Sequence, residues 1–213
     1  MEIRTFTGGG FGENAYLAVC APSGACVAVD PGADAPRMVA TIQRDGLDLA
    51  AILLTHSHLD HVEGVHLVRA AWPEVRIWLH PEALPMYRGV ARQAASFGLR
   101  LPEQPEPTDE LRAGERFEFG TCGLDVRYAP GHAPGHVVLV AVGEPVAFVG
   151  DVVFRGSIGR TDLPGGDYAT LMRSIAGLLD ALPDDTQVLP GHGPATTLGR
   201  ERATNPFLHE LAT

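Results

Sequence analysis

Three histidines and an aspartate fall within the six residues from His56 to His61 of LLTHSHLDHVEG (53–64), directly behind an apolar run. Imidazole and carboxylate together make up the donor set of zinc and iron sites. In an extended segment leaving a strand, residues two apart point the same way, so His56, His58 and Asp60 converge, and His61 joins them if the chain turns into a helix there. The spacing reads as a ligand cradle. The competing readings are a polar loop rich in histidine by chance and a closed, structural metal site.

One turn rarely supplies every ligand of an open catalytic site, so further donors are expected at other strand ends. YAPGHAPGH (128–136) offers His132 and His136, FVGD ends a strand on Asp151, and VLPGHGP (188–194) ends another on His192. A Pro-Gly pair before each of these histidines turns the backbone sharply where a strand stops. Residue types alone leave His132 and His136 as alternatives. His66, His80 and His209 read as surface or internally satisfied histidines.

The elements that must carry these groups alternate. ENAYLAVC (13–20), ACVAVD (25–30) and AILLT (51–55) read as strands, with a helix near 34–45. A helix over 61–72, a strand at 76–80 and a mostly helical stretch over 81–97, limited by Pro85, follow. Prolines at 102, 105 and 107 make the next segment a surface loop and a hinge between two halves. Strands are expected at 115–120, 124–129, 136–142, 145–150 and 187–190. Asp167 caps a helix whose Leu171, Ile175, Leu178, Leu179 and Leu182 form one buried stripe, and a helical segment closes the chain. Two runs of strands, each closed by a helix, suit two sheets packed face to face.

H-x-H-x-D-H, then P-G-H, G-D and P-G-H, in that order from His56 to His192, resemble the metallo-β-lactamase-fold hydrolases. The resemblance implies an α/β fold, an αββα sandwich of two mixed β-sheets with helices outside, carrying its metal site at the sandwich edge. It makes His56, His58 and His132 the ligands of a first metal, Asp60, His61 and His192 those of a second, and Asp151 the bridge between them. A bridging hydroxide is the implied nucleophile, since metal lowers the pKa of bound water to around 7 and two ions roughly 3.5–4 Å apart stabilise the developing oxyanion. Asp60 is the candidate catalytic residue that orients it. His136 and Asp30 are expected behind the ligands as orienting partners, Asp30 having the alternative of an ordinary turn aspartate.

The stretches 150–167 and 189–208 are further similar to small glyoxalase II-like hydrolases, relatives of hydroxyacylglutathione hydrolase. On that likeness residues 1–213 form a single domain without the C-terminal helical domain of glyoxalase II proper. The expected activity is metal-dependent hydrolysis of a thioester, S-lactoylglutathione or a similar acyl thiol. Glyoxalase II carries G-K-F-Y where this chain has Gly159-Arg160-Thr161-Asp162. Arg160 therefore replaces the lysine facing a substrate carboxylate or else pairs with Asp162, and Arg155 and Tyr168 are weaker pocket candidates. The G-R-T-D stretch is also similar to that of persulfide dioxygenases, which use a single iron. Their last histidine lies in P-A-H-D, whereas Pro190-Gly191-His192-Gly193 follows the hydrolase form. A reading of another class, a non-catalytic metal-binding scaffold or sensor, conflicts with the full ligand set. Two divalent ions, zinc before iron or manganese, are the expected cofactors.

Composition narrows the partners. The formal charge is −10 and all sixteen basic residues are arginine, which excludes a P-loop or Schiff-base lysine. Scattered arginines on an acidic chain offer no stripe for a phosphate backbone, so no nucleic acid partner is expected. No apolar run is long enough for a membrane span and the first residues lack a secretory pattern, which gives a cytoplasmic expectation and disfavours a periplasmic β-lactamase. Cys20, Cys26 and Cys122 read as small core residues of a reducing compartment, without a disulfide. Oligomeric state leaves no mark in the sequence.

Overall fold

The computed structural model describes residues 1–212, with side chains described through His209. The first half builds one sheet from β1 (Glu2–Gly8), β2 (Glu13–Cys20), β3 (Ala25–Val29), β4 (Asp48–Leu53), β5 (Arg76–Leu79) and β6 (Asp109–Glu110), paired in that order. β1 and β2, and β2 and β3, are antiparallel; the remaining pairs are parallel. The second half supplies β7 (Arg116–Phe119), β8 (Cys122–Tyr128), β9 (Val137–Ala141), β10 (Val146–Gly150), the small hairpin β11 (Val153–Phe154) and β12 (Ser157–Ile158), then β13 (Gln187–Pro190) and β14 (Thr196–Thr197). Its sheet runs β14-β13-β10-β9-β8-β7, with β10 and β13 parallel.

The central strands are apolar without a break because both of their faces are covered. Along β2, Ala15, Leu17 and Val19 pack outward under helices, while Tyr16, Ala18 and Cys20 face the other sheet. In β10, Phe148 points between the sheets and Ala147 and Val149 point away from them. Helices α1 (Ala35–Arg44), α2 (Leu59–Val62), α3 (Val65–Ala71), α4 (Leu84–Arg88) and α5 (Val90–Ser96) belong to the first sheet's side, and α6 (Tyr168–Ala181) and α7 (Leu198–Thr204) to the second's. The result is the expected αββα sandwich. Among the described residues no helix is long and apolar enough to cross a membrane.

Four local expectations are corrected. The helix expected over 61–72 begins at Leu59 and breaks into α2 and α3 at Gly64, where a Cβ would overlap the Gly32 carbonyl and Ala35. The 99–112 segment ends in β6, which adds a strand to the first sheet and anchors the connection in place of a free hinge. The glycine-rich stretch after Asp151 contains the β11–β12 hairpin. Cys20 and Cys122 are joined by a disulfide, 102 residues apart in sequence with Cα atoms 5.7 Å apart. That pair links the end of β2 to the start of β8 across the two sheets, a juxtaposition only the sandwich creates. Cys26 is a free, buried thiol. The Asp167 cap is present, its Oδ1 accepting from the Thr170 N–H at 2.7 Å.

Candidate metal centre

All the candidate ligands sit at one end of the sandwich, because the strands that precede them stop there. β4 leads into His56 and His58, β10 into Asp151, β13 into His192, and the β8–β9 connection carries His132 and His136. Backbone hydrogen bonds sew the two sheets together at this edge. The Val137 N–H donates to Thr55 O at 2.8 Å, and the Asn14 N–H to Gly191 O at 2.7 Å. His58 is the last extended residue before α2, so Asp60 and His61 stand on the helix and point differently from His56 and His58.

The donors therefore form two adjoining groups, which a third cluster of Asp30, His56 and His61 connects. Ligand atoms of His56, His58 and His132 lie within 4.8 Å of one another, and so do those of Asp60, His61 and His192. In the first group, His132 donates its Nδ1–H to Arg160 O at 2.8 Å, which turns its Nε2 inward to 2.8 Å from His58 Nδ1. In the second, His192 Nε2 lies 3.1 Å from Asp60 Oδ2. Asp151 stands between them, with Oδ1 3.4 Å from His61 Nε2 and Oδ2 3.4 Å from His132 Nε2 and 3.5 Å from His192 Nε2. Gly191 makes this approach possible, since a Cβ there would meet Asp151 Oδ1 and the His61 ring.

Residues behind the donors fix their orientation. Asp30 accepts the Thr55 N–H and hydroxyl at 2.7 and 2.6 Å and holds His61 Nδ1 at 3.0 Å. Its backbone has a φ of 48°, a left-handed conformation unusual outside glycine, which the surrounding bonds hold in place. His136 is fully buried, stacks on His56 at 4.7 Å, and accepts the Asp151 N–H at its Nε2. With that nitrogen engaged, His136 supports Asp151 and does not face the cleft.

The chemistry of this donor set fits divalent cations. Nε2 of His56 and His61 and Oδ1 of Asp151 are buried with no hydrogen-bond partner, while His58 turns its Nδ1 toward His132 Nε2. Buried polar atoms are rarely left unsatisfied, and an orphaned set converging on one place is the pattern a metal completes. Burial, reinforced by neighbouring imidazoles, keeps His56 well below its ordinary pKa and pushes His58 down to about 3. Burial likewise lowers His132 and His136. These rings are neutral at pH 7, with lone pairs available to a cation. Burial pushes the Asp60 carboxyl up, but His61 and the His192 hydrogen bond outweigh it and leave Asp60 ionised.

An open cleft of about 330 Å³ lies over the centre, lined by His58, Asp60, His132, Asp151 and His192 together with Phe11, Phe97, Phe154 and Leu163. That is within the size range of small-molecule sites. Arg160 reaches the cleft, but its guanidinium is paired with Asp162 at 2.7 Å. Arg155 and Tyr168 do not line it. Arg155 occupies the tight turn of the β11–β12 hairpin and faces Gln187 and Arg200, while Tyr168 starts α6 at the surface. His66 is bonded to Gln104, His80 caps the turn at Glu82, and His209 is exposed.

Glu13, Asn14 and Gln93 also support the site, though none belongs to a motif in the sequence. Asn14 Nδ2 donates to Pro190 O and Gly193 O and so shapes the loop carrying His192. The Glu13 backbone bridges to His192, while its carboxyl is buried against Gly32 and its pKa is pushed well up by burial. Gln93 Oε1 accepts the Leu59 N–H at 2.7 Å and ties α5 to the ligand-bearing turn. The two polar residues opening the otherwise apolar β2 were the available signal; nothing distinguished Gln93.

The metallo-β-lactamase superfamily model matches residues 8–192. The chain is 39% identical to hydroxyacylglutathione hydrolase GloC of Haemophilus influenzae, over 85% of this chain and 86% of that protein. It is 34% identical to the probable metallo-hydrolase YqgX of Bacillus subtilis, over 98% of each. The crystal structure of TTHA1623 in a di-iron-bound form superposes with a TM-score of 0.88 at 43% identity, covering 96% of this chain and 100% of that one. The αββα sandwich, the His and Asp donors gathered at its edge and the match across residues 8–192 agree: this chain belongs to the metallo-β-lactamase superfamily of metal-dependent hydrolases.

Proposed function

We propose that the protein hydrolyses an acyl thioester at a two-metal centre, with S-lactoylglutathione or a similar acyl thiol as substrate. The observation that carries this reading is the position of Asp151, within 3.5 Å of donors from both groups at the floor of an open cleft. His56, His58 and His132 would hold one ion, Asp60, His61 and His192 the other, with Asp151 shared. Bound there, divalent ions supply a water activated at neutral pH and a Lewis acid for the thioester carbonyl.

The chain's own groups do the rest. Asp60, ionised at the floor of the cleft, accepts a hydrogen bond from the attacking water and orients it. Asp30 and Arg160 O fix His61 and His132 through their Nδ1 atoms. Phe11, Phe154 and Leu163 make part of the cleft wall apolar. The likeness to the GloC hydroxyacylglutathione hydrolase supports a thioester, and zinc is the proposed metal, with iron the alternative suggested by the di-iron TTHA1623.

Persulfide oxidation is the second reading, resting on Gly159–Asp162. Against it stands the second donor group, which a single-iron enzyme does not need. Assay of purified protein with S-lactoylglutathione and other acyl thiols, beside oxygen uptake with glutathione persulfide, decides between them. Thioester turnover is expected. Oxygen uptake with one bound iron and no thioester turnover would replace the reading.

A further inference from the structure

The cleft over the donors continues into a second cavity, a groove of about 450 Å³ running along α4 and α5. The two share His58, Gln93, Phe97 and Leu163, so a molecule held at the centre can extend directly into the groove. Its walls are Pro85, Met86, Phe97, Leu163 and Pro164. Phe97 is 51% exposed and meets the 40% exposed Phe11 edge-on at 5.4 Å. Apolar surface of this kind beside a reactive centre marks a contact with ligand.

The groove also has a charge. Arg92 lines it, and among the described residues its guanidinium has no carboxylate or hydrogen-bond partner. Arg160, the other cation on these two surfaces, is already bound to Asp162. The helix that carries Arg92 is fastened to the ligand turn through Gln93 and Leu59, which fixes the distance between cation and centre.

We infer that the groove takes one arm of the substrate, an arm apolar along its length and ending in an anionic group that Arg92 captures. This rests on the thioester reading. A short, polar acyl group alone does not use these walls. The anion belongs either to the acyl arm or to the thiol carrier, and the same guanidinium serves both.

Matched thioesters test it. One pair is an ω-carboxyacyl thioester of N-acetylcysteamine and its terminal amide; the other places the acid or amide on the thiol side, as an acyl thioester of a mercaptoalkanoic acid. In one pair, Arg92→Ala raises KM for the acid about fivefold without moving kcat and leaves the amide unaffected, while Arg92→Lys restores most of the loss. The pair that responds identifies the arm. KM for that arm depends on its length and is lowest at the length that brings the anion to Arg92, falling about twofold to fourfold per methylene up to that length. Equal effects of Arg92→Ala on acid and amide in both pairs, or no dependence on chain length, would overturn the inference.

Calorimetric binding of the corresponding non-hydrolysable thioethers separates the two claims. Arg92-dependent binding without any thioester turnover would sink the hydrolase reading and leave the groove standing. Turnover with thioether binding indifferent to Arg92 would sink the groove and leave the hydrolase.

Discussion

Asp60 and His136 are both close to the donors, and their surroundings assign them opposite duties. Asp60 faces the cleft, ionised, with His192 on one oxygen. Asp60→Ala is expected to cut hydrolysis by about 100-fold or more while the protein stays folded. Full turnover with two bound metals would refute the role given to it. His136 lies behind His56 and holds the Asp151 N–H. His136→Ala should weaken metal affinity by about 10–100-fold yet still allow two ions to bind, whereas His132→Ala should lower the stoichiometry. Equal loss in both variants, measured by metal analysis after dialysis, would exchange their roles. Residue identity could not make this choice in the sequence, because both histidines follow Pro-Gly. The fold separates them, through the Arg160 carbonyl on one ring and the Asp151 amide on the other.

At the scale of elements, the site depends on where strands stop and how sharply the chain then turns. The strands of 13–20, 25–29 and 187–190 were legible because they are short apolar runs bounded by turn residues. β1, β14 and the β11–β12 hairpin were not, since an exposed edge strand and two-residue strands carry no run of buried side chains. The break between α2 and α3 is also tertiary in origin: Gly64 packs on the Pro31–Gly32 turn and its N–H donates to Pro31 O at 2.9 Å. Gly64→Ala is expected to cost about 1–3 kcal/mol, by overpacking that contact, and to weaken binding at Asp60 and His61 more than at His56 and His58. Thermal melts with and without metal check this; an unchanged melt would show that the junction yields freely.

At the scale of the molecule, the edge of the sandwich concentrates buried imidazoles, and the metal-stripped protein should carry the consequence. Folding holds His56, His58, His132 and His136 below the ordinary imidazole value. As pH falls below about 6.5, the unfolded chain binds protons the native chain does not, and stability drops by up to about 1.4 kcal/mol per pH unit for each such histidine. His61 and His192, whose folded values are raised, contribute stability already complete below that pH and lost only on going above it, so they do not offset the decline. Denaturant midpoints of metal-stripped protein should therefore fall between about pH 6.5 and 5. A flat profile would mean these rings are solvated in the metal-free state. The disulfide between Cys20 and Cys122 belongs to this scale too, and sequence could not reveal it because its partners meet only when the sheets pack.

The central claim is that one short turn, 56–61, feeds two adjacent ions that act together on a thioester. Its most direct test is metal-titrated hydrolysis of S-lactoylglutathione, with bound metal counted at each point and His58→Ala as the control. Turnover that rises until two ions are bound per chain and disappears in His58→Ala is the predicted result. Full thioester turnover by metal-free protein, or by the His58→Ala variant, would contradict the account.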